Sequence, residues 1–345
     1  MLATLPLAMS LGLGAVTQSM AIPLVLGLNG NAITVSTELY DNLKSVAPET
    51  TSAGHAHGLK TLIEQGRPLR FAHVFPGSTH FYQLCDWLSA AGIDPLRDVQ
   101  LVVVPPPRMV DALAMGAIDG FCVGEPWNTD AVLSGLGHMM MTSSQLWPNR
   151  AEKVLGVTRE FAQNHTHTMA ALTRALLRAG LWLDVAGNRV HAARLLAQGG
   201  YLQASSTVIE AAFVGRRYDT AGTSQETLPD FLVFGRYAAG FPWLDDAVWL
   251  LTQMRRLRQL QGDVDLHAVA SDILMPDAYR DAAQALGAAY PTIDRRPAPP
   301  HAAAWQLTQA SSPIDMGPDI PLYAAHHDPD HPPTRPGVAP AAPFH

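Results

Sequence analysis

Charge is scarce in this chain. Only 15% of its 345 residues are charged, against 48% hydrophobic, and the formal net charge is −7. Such a chain offers no basic field to nucleic acid, and it has apolar residues enough for one large core or two medium ones. Cysteine is nearly absent. Cys85 and Cys122 cannot make a disulfide framework, and both lie in apolar runs, where buried thiols belong. No P-loop, dinucleotide fingerprint, zinc-ligand spacing or internal repeat occurs. No Lys or Arg precedes Lys44, so the apolar stretch 1–28 lacks the basic start of a signal peptide. Pro6 and Pro23 also interrupt it, and a spanning helix needs roughly 20 apolar residues.

What is present alternates. Apolar runs at 21–28, 70–75, 99–104, 120–123 and 138–142 read as strands, with 99–104 continuous enough for a sheet covered on both faces. Helical spacing occupies 36–45, 79–91, 109–115 and 127–133 between them. The Gly- and His-bearing segment 49–67 reads as a loop and helical turn joining two lobes. Beyond Lys153 the pattern is helix upon helix, at 166–186, 189–197, 207–214, 243–260, 266–275 and 277–286. From Pro291 onward, 13 of 55 residues are proline and apolar periodicity stops, which predicts a disordered tail. The expected units are 1–66 (part of lobe one and the crossover), 67–150 (an α/β lobe two), 151–290 (a mostly helical return) and 291–345 (the tail).

Two phrases carry most of the chemistry: Phe75-Pro76-Gly77-Ser78-Thr79-His80 and Phe121-Cys122-Val123-Gly124-Glu125-Pro126-Trp127-Asn128. Each stands at a strand-to-helix junction, where α/β proteins bind small ligands. A helix start with Ser78 or Thr79 as cap and Gly77 before it offers N–H groups and a positive dipole end to an anion. His80 adds a donor in the first turn. Gly124 either turns the chain or lets backbone approach a ligand without a Cβ. Glu125 reads as an acid complementing the next helix dipole, and Trp127 as packing at the rim of a cleft. Cys85 and His80 stand five apart with no third orienting group, so a Cys–His nucleophile is not indicated. His326, His327, Asp328, Asp330 and His331 are metal-ligand types in a segment without a core to fix their geometry.

These phrases resemble the nitrate- and bicarbonate-binding branch of the periplasmic-binding-protein superfamily, which includes importers' solute-binding proteins and cytoplasmic nitrate/nitrite sensors. Leu28–Ser36, Val103–Val110 and Ala151–Leu155 support the resemblance, in order and spacing, from residue 1 to about residue 290. It implies a two-lobed, type II α/β architecture with an incomplete first lobe, since Met1–Ala8 matches an interior phrase at the end of a strand. The family's opening β-α-β segment, with an aromatic pocket residue, has no counterpart here. The resemblance assigns anion contacts to His80, Gly124, Lys153 and Asn31, framed by Gly77, Ser78 and Thr79. Taken alone, a lysine is a solvated surface charge and an Asn after Gly is turn chemistry. Lys153 argues against bicarbonate, whose binders use an acidic, calcium-assisted site there.

The implied function is binding of nitrate or nitrite without cofactor or resident metal. The leading reading is a cytoplasmic sensor in the regulation of nitrate assimilation, since the phrase Ser78–Leu84 is closer to that branch, with an RNA-binding antiterminator as its partner. As a solute-binding protein it would be exported and meet an ABC permease. Bicarbonate binding, an interaction-only protein with a dead pocket, and an enzyme acting on a small heterocycle are the remaining readings. An enzyme would need an activated nucleophile or a metal in the cleft.

Overall fold

The structure, a computed structural model, describes residues 1–47, 52–218, 225–228 and 230–323. Seven strands organise it: β1 (Met20–Asn29), β2 (Asn31–Ser36), β3 (Arg70–His73), β4 (Gln100–Val103), β5 (Gly120–Gly124), β6 (Gly137–Thr142) and β7 (Ala151–Thr158). They divide between two sheets. In the first, β1 is central, antiparallel to β7 on one side and to the short strand Leu232–Val233 on the other. β1 is apolar almost throughout and buried along most of its length, as a strand covered on both faces must be. The second sheet has the order β4-β3-β5-β2-β6, with β3 parallel to β4 and β5, and β2 antiparallel to β5 and β6.

The chain changes sheets at Asn29–Gly30, not in the segment 49–67. Asn29 (φ 61°) and Gly30 (φ 85°) are both left-handed, so two residues redirect the chain from β1 into β2. The left-handed φ of Gly30 favours glycine, and a Cβ there would also lie 2.4 Å from Leu232 Cδ2, whose side chain would have to shift. Lobe two therefore begins at Asn31 instead of residue 67. Of the expected connection, residues 48–51 lie outside the described residues, and Ser52–Glu64 is a helix against the helix Thr37–Val46. The chain returns between β6 and β7, where Asn149 (φ 56°) donates its N–H to Asn29 Oδ1 at 3.0 Å. The two crossings are thus tied together.

β4 also departs from expectation. It is an edge strand with Val103 55% exposed, so its apolar run is not covered on both faces. The helices after Lys153 form near their expected limits: Thr166–Leu183, Ala186–Gln198, Ser206–Phe213, Leu244–Arg256, Leu266–Ile273 and Pro276–Ala285. The free cysteines Cys85 and Cys122 are both buried. Among the described residues no helix is long and apolar enough to cross a membrane.

The expected disorder from Pro291 is contradicted through residue 323. Trp305–Leu307 and Ile314–Met316 pair as an antiparallel hairpin, and Leu307 and Met316 join Leu177, Phe241, Trp243 and Tyr279 in an apolar cluster. Arg296 reaches Asp246 on the helix Leu244–Arg256 at 2.7 Å. Proline content could not reveal contacts this distant in sequence. Residues 324–345, with His326–His331 among them, lie outside the described residues. Deleting 291–345 is expected to destabilise the rest by roughly 3 kcal/mol or more, because the apolar cluster loses Leu307 and Met316 and the buried Asp246 carboxylate keeps only one of its two arginines, Arg150. Denaturant unfolding of the truncated chain checks this; an unchanged midpoint would contradict it.

Candidate functional site

Four chain segments meet where the two crossings pass between the sheets. The first is the start of the helix Thr79–Ala90. Ser78 caps it, accepting the Phe81 N–H at 3.2 Å and donating to the Phe75 carbonyl at 2.6 Å. Its hydroxyl is taken up by this turn, so Ser78 and buried Gly77 shape the helix start instead of facing the cluster below. Thr79 and His80, in the first turn, are 1% and 3% exposed and do face it.

The second and third segments lie side by side. Asn31 opens β2 and pairs in register with Gly124 at the end of β5. A Cβ on Gly124 would stand 3.3 Å from Asn31 Oδ1 and 3.7 Å from His80 Nε2. Gly124→Ala should therefore lower anion affinity severalfold while leaving the melting temperature nearly unchanged; equal affinity in a titration would remove Gly124 from the site. Glu125 accepts the N–H and hydroxyl of Thr129, each at 3.1 Å, which makes it a first-turn cap. Trp127 packs with Phe121, Val123 and Ala131.

The fourth segment is the start of β7, and here the strand is irregular. Gly27 pairs with Lys153 and Leu28 with Ala151, so one step along β1 spans two along β7 and Glu152 is the extra residue of a β-bulge. Successive side chains of a regular strand point to opposite faces; a bulge re-aims one of them. Glu152 and Lys153 consequently meet, Nζ to Oε1 at 2.6 Å, with Glu152 5% exposed. Asn31 Nδ2 donates to Glu152 Oε2 at 2.8 Å, and the Thr79 hydroxyl donates to the same oxygen. His80 Nε2 lies 3.6 Å from Oε1. Thus Asn31, Thr79, His80 and Lys153 converge on one carboxylate, with Gly124 alongside.

Sequence reasoning missed two members of this cluster. Nothing in the local sequence marks Glu152 as buried, and only the bulge turns it inward. Gln83, which accepts from Asn31 Nδ2 at 3.1 Å, was legible in principle: it follows Thr79 by four residues on one helix face. A small cavity adjoins the cluster, lined in part by Thr79, Gln83, Glu152, Trp147, Arg150 and Trp249.

The electrostatics follow from burial. Burial alone would raise the Glu152 carboxyl, but Lys153, then His80, together with the hydrogen bonds from Lys153 and Thr79, hold it down to about 2. Burial pushes His80 down to about 4 against the pull of Glu152, and it pushes His73 to about 4 as well. Both imidazoles are neutral at pH 7, and both ring nitrogens of His80 are buried without a hydrogen-bond partner. Burial also raises the thiols of Cys85 and Cys122, so neither is a ready nucleophile. Among the described residues no group of three or more His, Cys, Asp or Glu is placed to hold a metal.

These shifts fix how stability depends on acid. The histidines' contributions are fully present above pH 6.5, the unfolded value, and are lost as pH falls through about 4. That of Glu152 is present above 4.5 and lost as pH falls through about 2. His138, lowered to about 4 by burial, adds to the histidine loss. Glu125, raised by burial to about 7, instead contributes stability that is present below 4.5 and lost as pH rises through about 7. The denaturant midpoint should therefore fall more steeply between pH 6.5 and 4 in Glu125→Gln than in the unaltered chain, and fall again in both below 4.5. A Glu125→Gln profile flat between 6.5 and 4 would show that the histidines are not buried neutral.

Comparison with known proteins adds a second line. Residues 1–197 match the NMT1-like family. The nitrate import ATP-binding protein NrtC of Synechocystis is 33% identical over 289 residues, covering 83% of this chain and 42% of that protein. The nitrate/nitrite binding protein NrtA of Synechococcus elongatus is 33% identical over 233 residues, covering 66% and 53%. A bicarbonate transport ATP-binding protein, CmpC of Synechocystis, is 35% identical over 240 residues, covering 68% and 35%. The chain spans about half the length of the curated relatives it matches. Among solved structures, the periplasmic nitrate-binding protein NrtA from Synechocystis superposes with a TM-score of 0.75 at 27% identity, covering 83% of this chain and 73% of that one.

Proposed function

Because the chain belongs to the NMT1-like family, with the two-sheet fold of periplasmic solute-binding proteins, we propose that it binds nitrate or nitrite between its lobes as a solute-recognition component of ABC import. One observation carries the proposal: neutral donors from Asn31, Thr79 and His80, and the Lys153 cation, surround a single buried carboxylate. A planar monovalent oxyanion asks for that set. Nitrate is weakly hydrated, so a few neutral donors and one cation offset its desolvation, and no cofactor enters. The net charge of −7 requires the attraction to be local. Binding would close the lobes by hinge motion at the paired crossings Asn29–Gly30 and Asn149.

The names of the relatives favour import over sensing. The phrase Ser78–Leu84 supports the second role, a cytoplasmic nitrate/nitrite sensor working through an RNA-binding antiterminator. In the first role the protein would be periplasmic or membrane-associated and would meet a permease. Deleting the gene separates the two: loss of nitrate uptake supports import, and loss of nitrate-dependent gene expression with uptake intact supports sensing. The ligand is tested by thermal unfolding with nitrate, nitrite, and bicarbonate with and without calcium. A saturable rise in melting temperature with nitrate or nitrite is expected; a rise with bicarbonate and calcium only would overturn the assignment.

A further inference from the structure

We propose that the Glu152 carboxylate is the pocket's resident anion, which an external planar anion must displace, so that Glu152 sets the concentration at which the site fills; this rests on reading the cluster as an anion pocket. A carboxylate is planar and monovalent, like nitrate, and it holds the donors that nitrate would need. Oε2 accepts from Asn31 Nδ2 at 2.8 Å and from the Thr79 hydroxyl, and Oε1 accepts from Lys153 Nζ at 2.6 Å. A second negative charge within a few ångströms, at 5% exposure, would be strongly repelled, so the two anions cannot share the pocket.

The occupant is also an incomplete one. Two oxygens leave His80 unserved: Nε2 stands 3.6 Å from Oε1, and both ring nitrogens and Asn31 Oδ1 are buried without hydrogen-bond partners. Buried polar groups normally have partners, and leaving them bare is costly. A three-oxygen anion brings the third acceptor that His80 lacks, which is how an external ligand outcompetes a tethered one. Glu152 is the extra residue of a bulge, and the side chain of Lys153 is 44% exposed, so the neighbouring face opens to solvent.

Two variants of the full chain test this, with nitrate and formate as probes. Glu152→Gln, which keeps the shape of the side chain and removes its charge, is expected to bind nitrate at least tenfold tighter than the unaltered protein by calorimetry. Glu152→Ala, which empties the place of the carboxylate, is expected to show a saturable rise in melting temperature with sodium formate that the unaltered protein does not show. Equal or weaker nitrate binding in Glu152→Gln, with no formate response in Glu152→Ala, would make Glu152 a structural ion-pair member and overturn the proposal. A formate response in Glu152→Ala without nitrate binding in any variant would uphold the resident anion and remove nitrate as the ligand. Should Glu152→Ala fail to fold, the nitrate affinity of Glu152→Gln decides alone.

Discussion

Replacing Lys153 with methionine is expected to weaken nitrate binding at least tenfold, with Lys153→Arg recovering part of the loss. Lys153 is the only cation whose charged atom reaches the cluster among the described contacts, at 2.6 Å from Glu152 Oε1. A hydrogen bond to a charged group is worth about 1.5–3 kcal/mol, and ~1.4 kcal/mol is tenfold in affinity. The substitution also removes the group that does most to hold Glu152 ionised, which by itself would ease anion entry, so the expected loss is the net effect of the missing cation. His80→Ala should weaken binding in the same direction by removing a buried donor. Calorimetric titration of the variants checks both, and unchanged affinity in both would dissolve the site.

The second large effect is on folding. Asp246→Ala should lower the free energy of unfolding by about 3–5 kcal/mol, the usual cost of breaking a buried ion pair from one side. Asp246 is 4% exposed and lies between two guanidinium groups, Arg150 at 3.1 Å and Arg296 at 2.7 Å. Those arginines also stack over Trp249 and Trp243. Without the carboxylate, two positive charges face each other in the interior. Arg296 belongs to the segment whose composition predicts disorder, so this substitution and removal of 291–345 share an interaction and should not add. Equilibrium unfolding in urea gives both numbers; a loss within about 0.5 kcal/mol for Asp246→Ala would show the cluster to be solvated.

Local rules made much of the fold legible. The apolar runs become β1, β3, β5 and β6, and the Ser78 cap starts its helix where the spacing places it. The grouping of Gly124 with Asn31 and His80 was implied by the family resemblance alone, and the strand 31–36 that opens at Asn31 was not expected. Non-local features were not legible. Asn29–Gly30 reads as any turn, and only the pairing of Asn31 with Gly124 shows that the chain has entered the other sheet. The order of residues 291–323 depends on Asp246, some fifty residues earlier. Glu152 is the sharpest case. Its burial arises from a pairing slip between β1 and β7, which no property of the residues Ala151-Glu152-Lys153 announces. Gly77 and Ser78 mark the converse: legible as pocket residues, they serve the turn that presents Thr79 and His80.

Whether Asn31, Thr79, His80 and Lys153 act as one anion site is decided by a crystal structure of the chain with nitrate. A planar anion is expected within about 2.7–3.2 Å of Asn31 Nδ2, Thr79 Oγ1, His80 Nε2 and Lys153 Nζ, with the Glu152 carboxylate moved out of its place. Nitrate bound elsewhere, with Glu152 still holding those donors, would contradict it.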